Sequence, residues 1–176
     1  GSVVVVVGFG DCGRGVASRA DGLGARVVVV EINPIRALEA VLEGYEVMAM
    51  DDAAKVGTIF ITLTGNKHVI AREHFDVMKD SVIVANAGHF DVELELTALT
   101  EMAVSRQPIR ENLEQFQLLD GRRILVAAEG RLVNLGAAEG HPADVMDLSF
   151  SAQGLATEWI FKNHTELTPK IYTLPT

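Results

Sequence analysis

The apolar positions in the first ninety residues fall into short blocks separated by turn-forming and amphipathic stretches. Val3–Val7 and residues 27–30 are unbroken runs of valine. Such β-branched runs suit strands buried on both faces, as in a parallel sheet covered by helices. Between them lie a glycine-rich turn and residues 16–23, about the length of one crossover helix. Asn33 and Pro34 follow the second run as an N-cap with proline at the first helical position, and predict a helix to about Glu43. Gly44 stops it. Residues 45–50 then read as a third strand, and Asp51 as the cap of a brief helix over 52–56. Residues 58–64 read as a fourth strand, 71–78 as a helix and 81–87 as a fifth strand. Strands recurring with helices between them predict an α/β fold: a Rossmann-like, doubly wound parallel sheet with helices on both faces.

The rhythm changes after about Gly88. Residues 116–119 and 122–128 look like two strands joined by a tight turn at Asp120 and Gly121. Residues 130–140 are punctuated by glycine and read as mostly irregular. Pro142 to about Asn163 reads as one longer helix carrying Met146, Phe150, Leu155 and Trp159 on an apolar side. Pro169 and Pro175 bracket a last extended stretch, 170–174, with no helix after it to cover a strand, so the end reads as cut.

Composition narrows the class without changing the fold. The 176 residues correspond to about one domain at roughly 150 residues each. Apolar residues make up 48% and charged residues 22%, which excludes wholesale disorder. Cys12 is the single cysteine, so an intrachain disulfide is impossible, and a reducing, cytoplasmic setting is expected. A formal charge of −9 argues against a nucleic-acid surface. No apolar run approaches the roughly 20 residues that span a bilayer, and the start has no basic region typical of a signal peptide. No membrane partner is expected. His68, His74 and His164 share no ligand spacing with cysteine or carboxylate pairs, so no metal site is expected.

The candidate chemistry begins at Gly8-Phe9-Gly10-Asp11-Cys12-Gly13, which fits GxGxxG directly between a buried-type strand and a helix. Gly8 permits the tight turn, Gly10 lets backbone approach a pyrophosphate, and Gly13 allows helix and strand to pack closely. The pyrophosphate would sit on free N–H groups at the positive end of the helix dipole. Gly15 adds another small residue, and Cys12 is read as a packing or backbone position. Glu31 ends the second strand 18 residues after Gly13, where a carboxylate can accept both ribose hydroxyls of an adenosine. It would repel a 2′-phosphate, which favours NAD over NADP. Arg36 lies five residues later, where it either flanks the adenine or stays in solvent. Residues 62–66 and 86–91 pass from strand into glycine and hydrogen-bonding side chains, as suits the other half of a dinucleotide. Further on, Asn134 can pair donor and acceptor with a carboxamide, and His141 follows near a presumed hinge.

GFGDCGRG at 8–15, EINPIRALEA at 31–40, GYEV at 44–47, GHFDVE at 88–93, EGRLVNLG at 129–136 and GHP at 140–142 together resemble the S-adenosylhomocysteine hydrolase family, its cofactor domain in particular. The resemblance runs from about Val3 to Gln153 and is looser beyond. It implies an NAD-binding Rossmann domain over 1–140, followed at 141–176 by a helix and an extended segment that in the family return to the substrate domain. It also implies the family's chemistry. Tightly held NAD⁺ oxidises the ribose 3′-hydroxyl of S-adenosylhomocysteine, homocysteine is eliminated, water adds, and reduction releases adenosine. On this resemblance Gly10, Asp11, Cys12, Gly13, Arg14 and Gly15 hold the pyrophosphate, Glu31 the adenosine ribose, and Arg36 makes a further cofactor contact. Thr64 and Gly65 lie where the cofactor passes the fourth strand. Ala87, Gly88 and His89 lie by the nicotinamide ribose and reacting sugar, with His89 as an auxiliary catalytic residue. Asn134 takes the carboxamide, and His141 lies at the boundary of cofactor and substrate. Leu63 stands where the family more often has threonine. The family's substrate domain and last segment are expected to be missing, so the chain should bind NAD⁺ without turning over; homo-oligomers are expected.

Two other classes share the glycine loop and acid. One is a regulatory nucleotide-binding module of the kind that gates potassium channels; the other is the cofactor domain of a 2-hydroxyacid dehydrogenase. The first is not expected to carry GHFDVE or EGRLVNLGxxxGHP, and the second should place an arginine and a catalytic histidine in other contexts.

Overall fold

The valine runs form the centre of a sheet whose two faces are both covered. In β1 (Val3–Val7) and β2 (Arg26–Val30), alternate side chains enter different cores. Val4, Val6 and Val29 pack with Ala17 of α1 (Asp11–Gly22) and Ala40 of α2 (Pro34–Leu42). Val5, Val7 and Val28 pack with Ala53 and Ala54 of α3 (Met50–Val56), Phe75 of α4 (Arg72–Val77) and Leu99 of α5 (Leu96–Met102). A strand with a core on each side has no polar positions to alternate with, which is why these runs are continuous. Each fully buried valine contributes about 1.5–3 kcal/mol relative to exposure.

The computed structural model describes residues 1–174. The remaining strands are β3 (Glu46–Val47), β4 (Ile59–Thr62), β5 (Val82–Asn86), β6 (Ala103–Arg110), β7 (Leu113–Leu118) and β8 (Arg123–Ala127). They form one eight-stranded sheet in the order β3-β2-β1-β4-β5-β8-β7-β6. Pairing is parallel from β3 through β8, and antiparallel where β7 joins β8 and β6. The chain winds outward in opposite directions from β1 and β4, which makes the gap beyond their carboxyl ends the switch point where ligands bind in such sheets.

Local chemistry sets the element ends. The Asn33 side chain accepts from the Ile35 and Arg36 N–H groups at 2.9 and 3.3 Å, with Pro34 opening α2. α1 begins at Asp11, ahead of the expected 16–23, because Gly10 caps it and the Arg14 N–H donates to the Gly10 carbonyl at 2.9 Å. Gly13 and Gly15, which read as part of the turn, therefore lie inside the helix. Asp51 is not the cap of α3: Ala49 holds that position, and Asp51 in the first turn faces Nε2 of His74 at 3.2 Å. The Ala71 N–H donates to Nδ1 of the same ring at 2.9 Å, so the ring donates from Nε2 toward Asp51. β3 and β4 are shorter than the expected strands at 45–50 and 58–64.

The second half departs further. The expected strand at 116–119 begins at Leu113 and pairs on both sides, and its turn into β8 places Gly121 at φ +91°. α5 and β6 occupy a stretch that carries no clear pattern. Seven of the eight β6 residues are exposed, and Pro108 sits within it, so neither period-2 alternation nor an apolar run marks it. Residues 130–140 are not wholly irregular, since Val133–Gly136 forms the short helix α6.

By contacts the chain divides into units Gly1–Ala138 and Glu139–Thr176. The second unit consists of α7 (Ala143–Asn163) and the segment after it. Phe150 and Leu155 on α7 are 61% and 62% exposed, while Met146 and Trp159 are half-buried. Tyr172 packs against Trp159 with ring centroids 5.6 Å apart. The Thr168 N–H donates to the Tyr172 hydroxyl at 2.7 Å. Residues 171–174 form no strand; Pro175 lies outside the described residues. No helix among the described residues is long and apolar enough to cross a membrane.

Candidate functional site

A cleft of about 340 Å³ opens beyond the carboxyl ends of β1, β2 and β4. Gly8 and Gly10 form one wall, Glu31, Asn33 and Arg36 another, and Thr64 a third. Val7, Val30, Leu63 and Val69 supply its apolar surface.

The glycine loop is shaped by close approach. A Cβ on Gly13 would lie 1.9 Å from the Gly8 carbonyl oxygen, so α1 sits this near β1 only with glycine there. Gly8 has φ +102° and would bring a Cβ to 3.0 Å from the Leu63 carbonyl oxygen. Gly10 leaves an opening beside Arg36, whose Nη1 is 3.5 Å from where a Cβ would be. The first-turn N–H groups of Asp11, Cys12 and Gly13 precede the first intrahelical bond of α1 and lack partners within it. Free N–H groups at a helix start of this kind can hold an anion such as a phosphate. A Cβ at Gly15 would meet nothing within 4 Å. Arg14 pairs with Glu39 and Glu43 at 2.8 and 2.9 Å, and its guanidinium lies 5.4 Å from the centre of the Phe9 ring. Its side chain is thus committed to α2. Asp11 and Cys12 are exposed.

Glu31 closes β2 with one carboxylate oxygen accepting from the Phe9 N–H at 2.7 Å and the other from the Asn33 N–H at 2.8 Å. Burial tends to raise its pKa, but hydrogen bonds from the Asn33, Phe9 and Ile32 backbone, with the charge of Arg36, outweigh it and hold the carboxyl below the usual range. Each oxygen retains capacity to accept from a ligand hydroxyl.

Two buried groups organise the β4 and β5 ends: Glu93, absent from the sequence-based candidates, and Asn86, which opens the candidate stretch 86–91. Glu93, 1% exposed, accepts from the Thr64 N–H and hydroxyl at 3.0 and 2.9 Å and from the Gly65 N–H at 2.7 Å. Asn86 accepts from the Thr62 hydroxyl and Gly88 N–H, and donates to the carbonyls of Gly88, Phe90 and Gly130. Glu93 is the last residue of GHFDVE, but nothing in its neighbours marks a buried carboxylate.

Ala87, Gly88 and His89 follow β5 on the same sheet edge, where the Ala87 N–H donates to the Thr62 carbonyl at 2.8 Å. His89 is exposed and meets the Phe90 ring edge-on, with centroids 4.6 Å apart. Asn134, half-buried on α6, stands two residues after Leu132, which bridges to Asn86. The structure brings Gly8, Gly10, Glu31, Arg36 and Thr64 together around the cleft, whereas Ala87, Gly88, His89 and Asn134 lie outside its lining. His141 belongs to the second unit and is exposed.

The strand order, the glycine loop at the switch point and the carboxylate closing β2 define a dinucleotide-binding α/β domain. The family model described as "S-adenosyl-L-homocysteine hydrolase, NAD binding domain" matches residues 1–140. This chain belongs to that family, and NAD is its cofactor. The adenosylhomocysteinase of Aquifex aeolicus is 59% identical over 175 residues, covering 99% of this chain and 42% of the relative. That of Pyrococcus abyssi is 57% identical with the same coverage. The chain therefore spans about 42% of the length of these curated relatives. Among solved structures, a D-lactate dehydrogenase from Treponema pallidum aligns with a TM-score of 0.51 and 24% identity, covering 57% of this chain and 30% of that one. That likeness shows the shared fold alone. The family match favours the hydrolase reading over the channel-module and 2-hydroxyacid dehydrogenase alternatives.

Proposed function

We propose that the protein carrying this domain catalyses the reversible hydrolysis of S-adenosyl-L-homocysteine to adenosine and L-homocysteine, with the residues described here holding the NAD. The observation that carries the reading is the cleft itself: a backbone anion cradle facing an acceptor carboxylate, in a chain of this family. Bound NAD supplies a hydride acceptor for the ribose 3′-hydroxyl and returns the hydride later in turnover. The N–H groups of Asp11, Cys12 and Gly13 hold the pyrophosphate, with Gly8, Gly10 and Gly13 keeping the loop close. Arg14 and Gly15 contribute backbone to the same turn. Glu31 accepts the adenosine ribose hydroxyls and Arg36 flanks that end. Thr64 lines the opposite wall, and Gly65 follows it where the cofactor passes β4. Ala87, Gly88 and His89 lie toward the nicotinamide ribose and reacting sugar, and Asn134 pairs with the carboxamide. His141 is assigned to the boundary of cofactor and substrate, as a cofactor contact, on the family resemblance.

Calorimetric titration of the 176-residue chain with NAD⁺ tests the reading. One-to-one binding is expected, and no heat at millimolar NAD⁺ would overturn it. Glu31 and Arg36 are the ionisable side chains lining the cleft, and neither is placed as a proton-transfer pair. Homocysteine release by this polypeptide alone is therefore not expected, which a thiol assay checks.

The same proposal extends to setting and assembly. The protein is assigned to the cytoplasm, and the domain to a homo-oligomer. Leu148, Phe150, Leu155 and Phe161 leave apolar surface on α7. Exposed apolar side chains on a helix can recruit a partner. Light scattering is expected to give a mass above one chain, and a strictly monomeric solution would remove this assignment.

A further inference from the structure

We infer that Glu93 is a positioning residue for the cofactor, keying the loops after β4 and β5 to a single buried carboxylate; this rests on the NAD reading of the cleft. Glu93 pairs with no cation among the described residues, an arrangement that is unfavourable unless hydrogen bonds replace the lost hydration. Those bonds come from Thr64, which lines the cleft, and from its neighbour Gly65: the Thr64 N–H and hydroxyl reach one oxygen and the Gly65 N–H reaches the other. The Thr64 hydroxyl proton is thereby committed inward, and its oxygen also accepts from the Asn66 N–H at 3.0 Å.

The wall so held abuts the phosphate loop. A Cβ built on Gly8 would meet the Leu63 carbonyl oxygen at 3.0 Å and the Thr64 methyl at 3.2 Å, so displacement of residues 63–64 is felt at Gly8. On the other side, a Cβ on Gly88 would fall 1.7 Å from a carboxylate oxygen of Glu93. The loop leading to His89 thus closes over the carboxylate only because residue 88 has no side chain. Main-chain bonds fix the reach: the His68 N–H donates to Val92 and the Val69 N–H to Glu93, at 2.8 and 2.7 Å. An apolar side chain could fill this volume, but only an acceptor turns three donors away from the cleft.

The test compares the unaltered chain with Glu93→Gln, which keeps the size and exchanges one acceptor for a donor facing an N–H group. NAD⁺ affinity measured calorimetrically is expected to fall about tenfold or more. Amide exchange at Thr64 and Gly65 is expected to quicken while Val5 and Val6 in β1 stay protected. A purely structural role would lower the thermal midpoint yet leave the affinity of the folded molecules unchanged. Should Glu93→Gln not fold, Gly88→Ala displaces the carboxylate by a different route and is expected to weaken NAD⁺ similarly. On a Glu93→Ala background the same Gly88→Ala change is expected to add little, because the main clash is gone and only Asn86 Oδ1 at 3.1 Å remains close. Affinity within twofold of the unaltered chain in Glu93→Gln, or full additivity of the pair, overturns the inference. Failure of the unaltered chain to bind NAD⁺ would instead overturn the function on which it rests.

Discussion

Gly13→Ala is expected to destabilise the chain by about 3 kcal/mol and to weaken NAD⁺ binding at least about a hundredfold. The added carbon would lie 1.9 Å from the Gly8 carbonyl oxygen and 2.8 Å from its carbon. Both are backbone atoms, so no side-chain rotation relieves the overlap. Either α1 retreats from β1 or the turn at Gly8 opens. Both routes move the first-turn N–H groups away from where the phosphates are held. Gly15→Ala is the control for stability, since that position is inside α1 and a Cβ there meets no protein atom within 4 Å. There the methyl group is expected to stabilise by about 0.5–1 kcal/mol through reduced backbone entropy of the unfolded chain. Urea unfolding and calorimetry on the two variants measure both effects. If Gly13→Ala matched Gly15→Ala, the close approach of helix and strand would not be what shapes the site.

NAD⁺ is expected to bind roughly ten- to a hundredfold more tightly than NADP⁺, the equivalent of about 1–3 kcal/mol for one unfavourable contact. The source is Glu31, whose oxygens are fixed by the Phe9 and Asn33 N–H groups and cannot swing away from a 2′-phosphate. Glu31→Ala should narrow the ratio and also weaken NAD⁺, since it removes the ribose acceptor and releases the Phe9 N–H. The pH dependence has a defined sign. The folded carboxyl is held below its ordinary 4.5, so its charge and its contribution to stability are fully present above that value. Both are lost as pH falls through the lowered folded value, and the preference for NAD⁺ fades with them. Competition titrations of the two cofactors at neutral and acidic pH measure this. Equal affinity at neutral pH would remove Glu31 from the ribose site.

The central strands and α2 were legible because their signals are local. A valine run has one comfortable environment, and Asn33-Pro34 is a helix start whatever surrounds it. Glu31 was legible for a related reason, as a carboxylate at the end of a buried-type strand at the right interval from a glycine loop. α5 and β6 were not legible, since an exposed edge strand with proline has no periodicity to show. The start of α1 is not legible locally, because glycine propensity argues for a turn, whereas close approach to Gly8 requires glycine within the helix.

The amino-acid sequence by itself determined the two-faced parallel core, the glycine loop with its acid, and the motifs that mark the family. Each depends on neighbours within a few residues or on spacing along the chain. Only the tertiary structure decided which polar groups are buried and what they hold. Glu93 lies 29 residues from Thr64, and Asn86 lies 44 from Gly130, yet each pair shares a hydrogen bond. It also decided that Arg14 serves α2 through Glu39 and Glu43. The physical reason is that burying a polar group is tolerated only when partners converge on it, and such convergence is set by how the sheet brings distant loops to one edge.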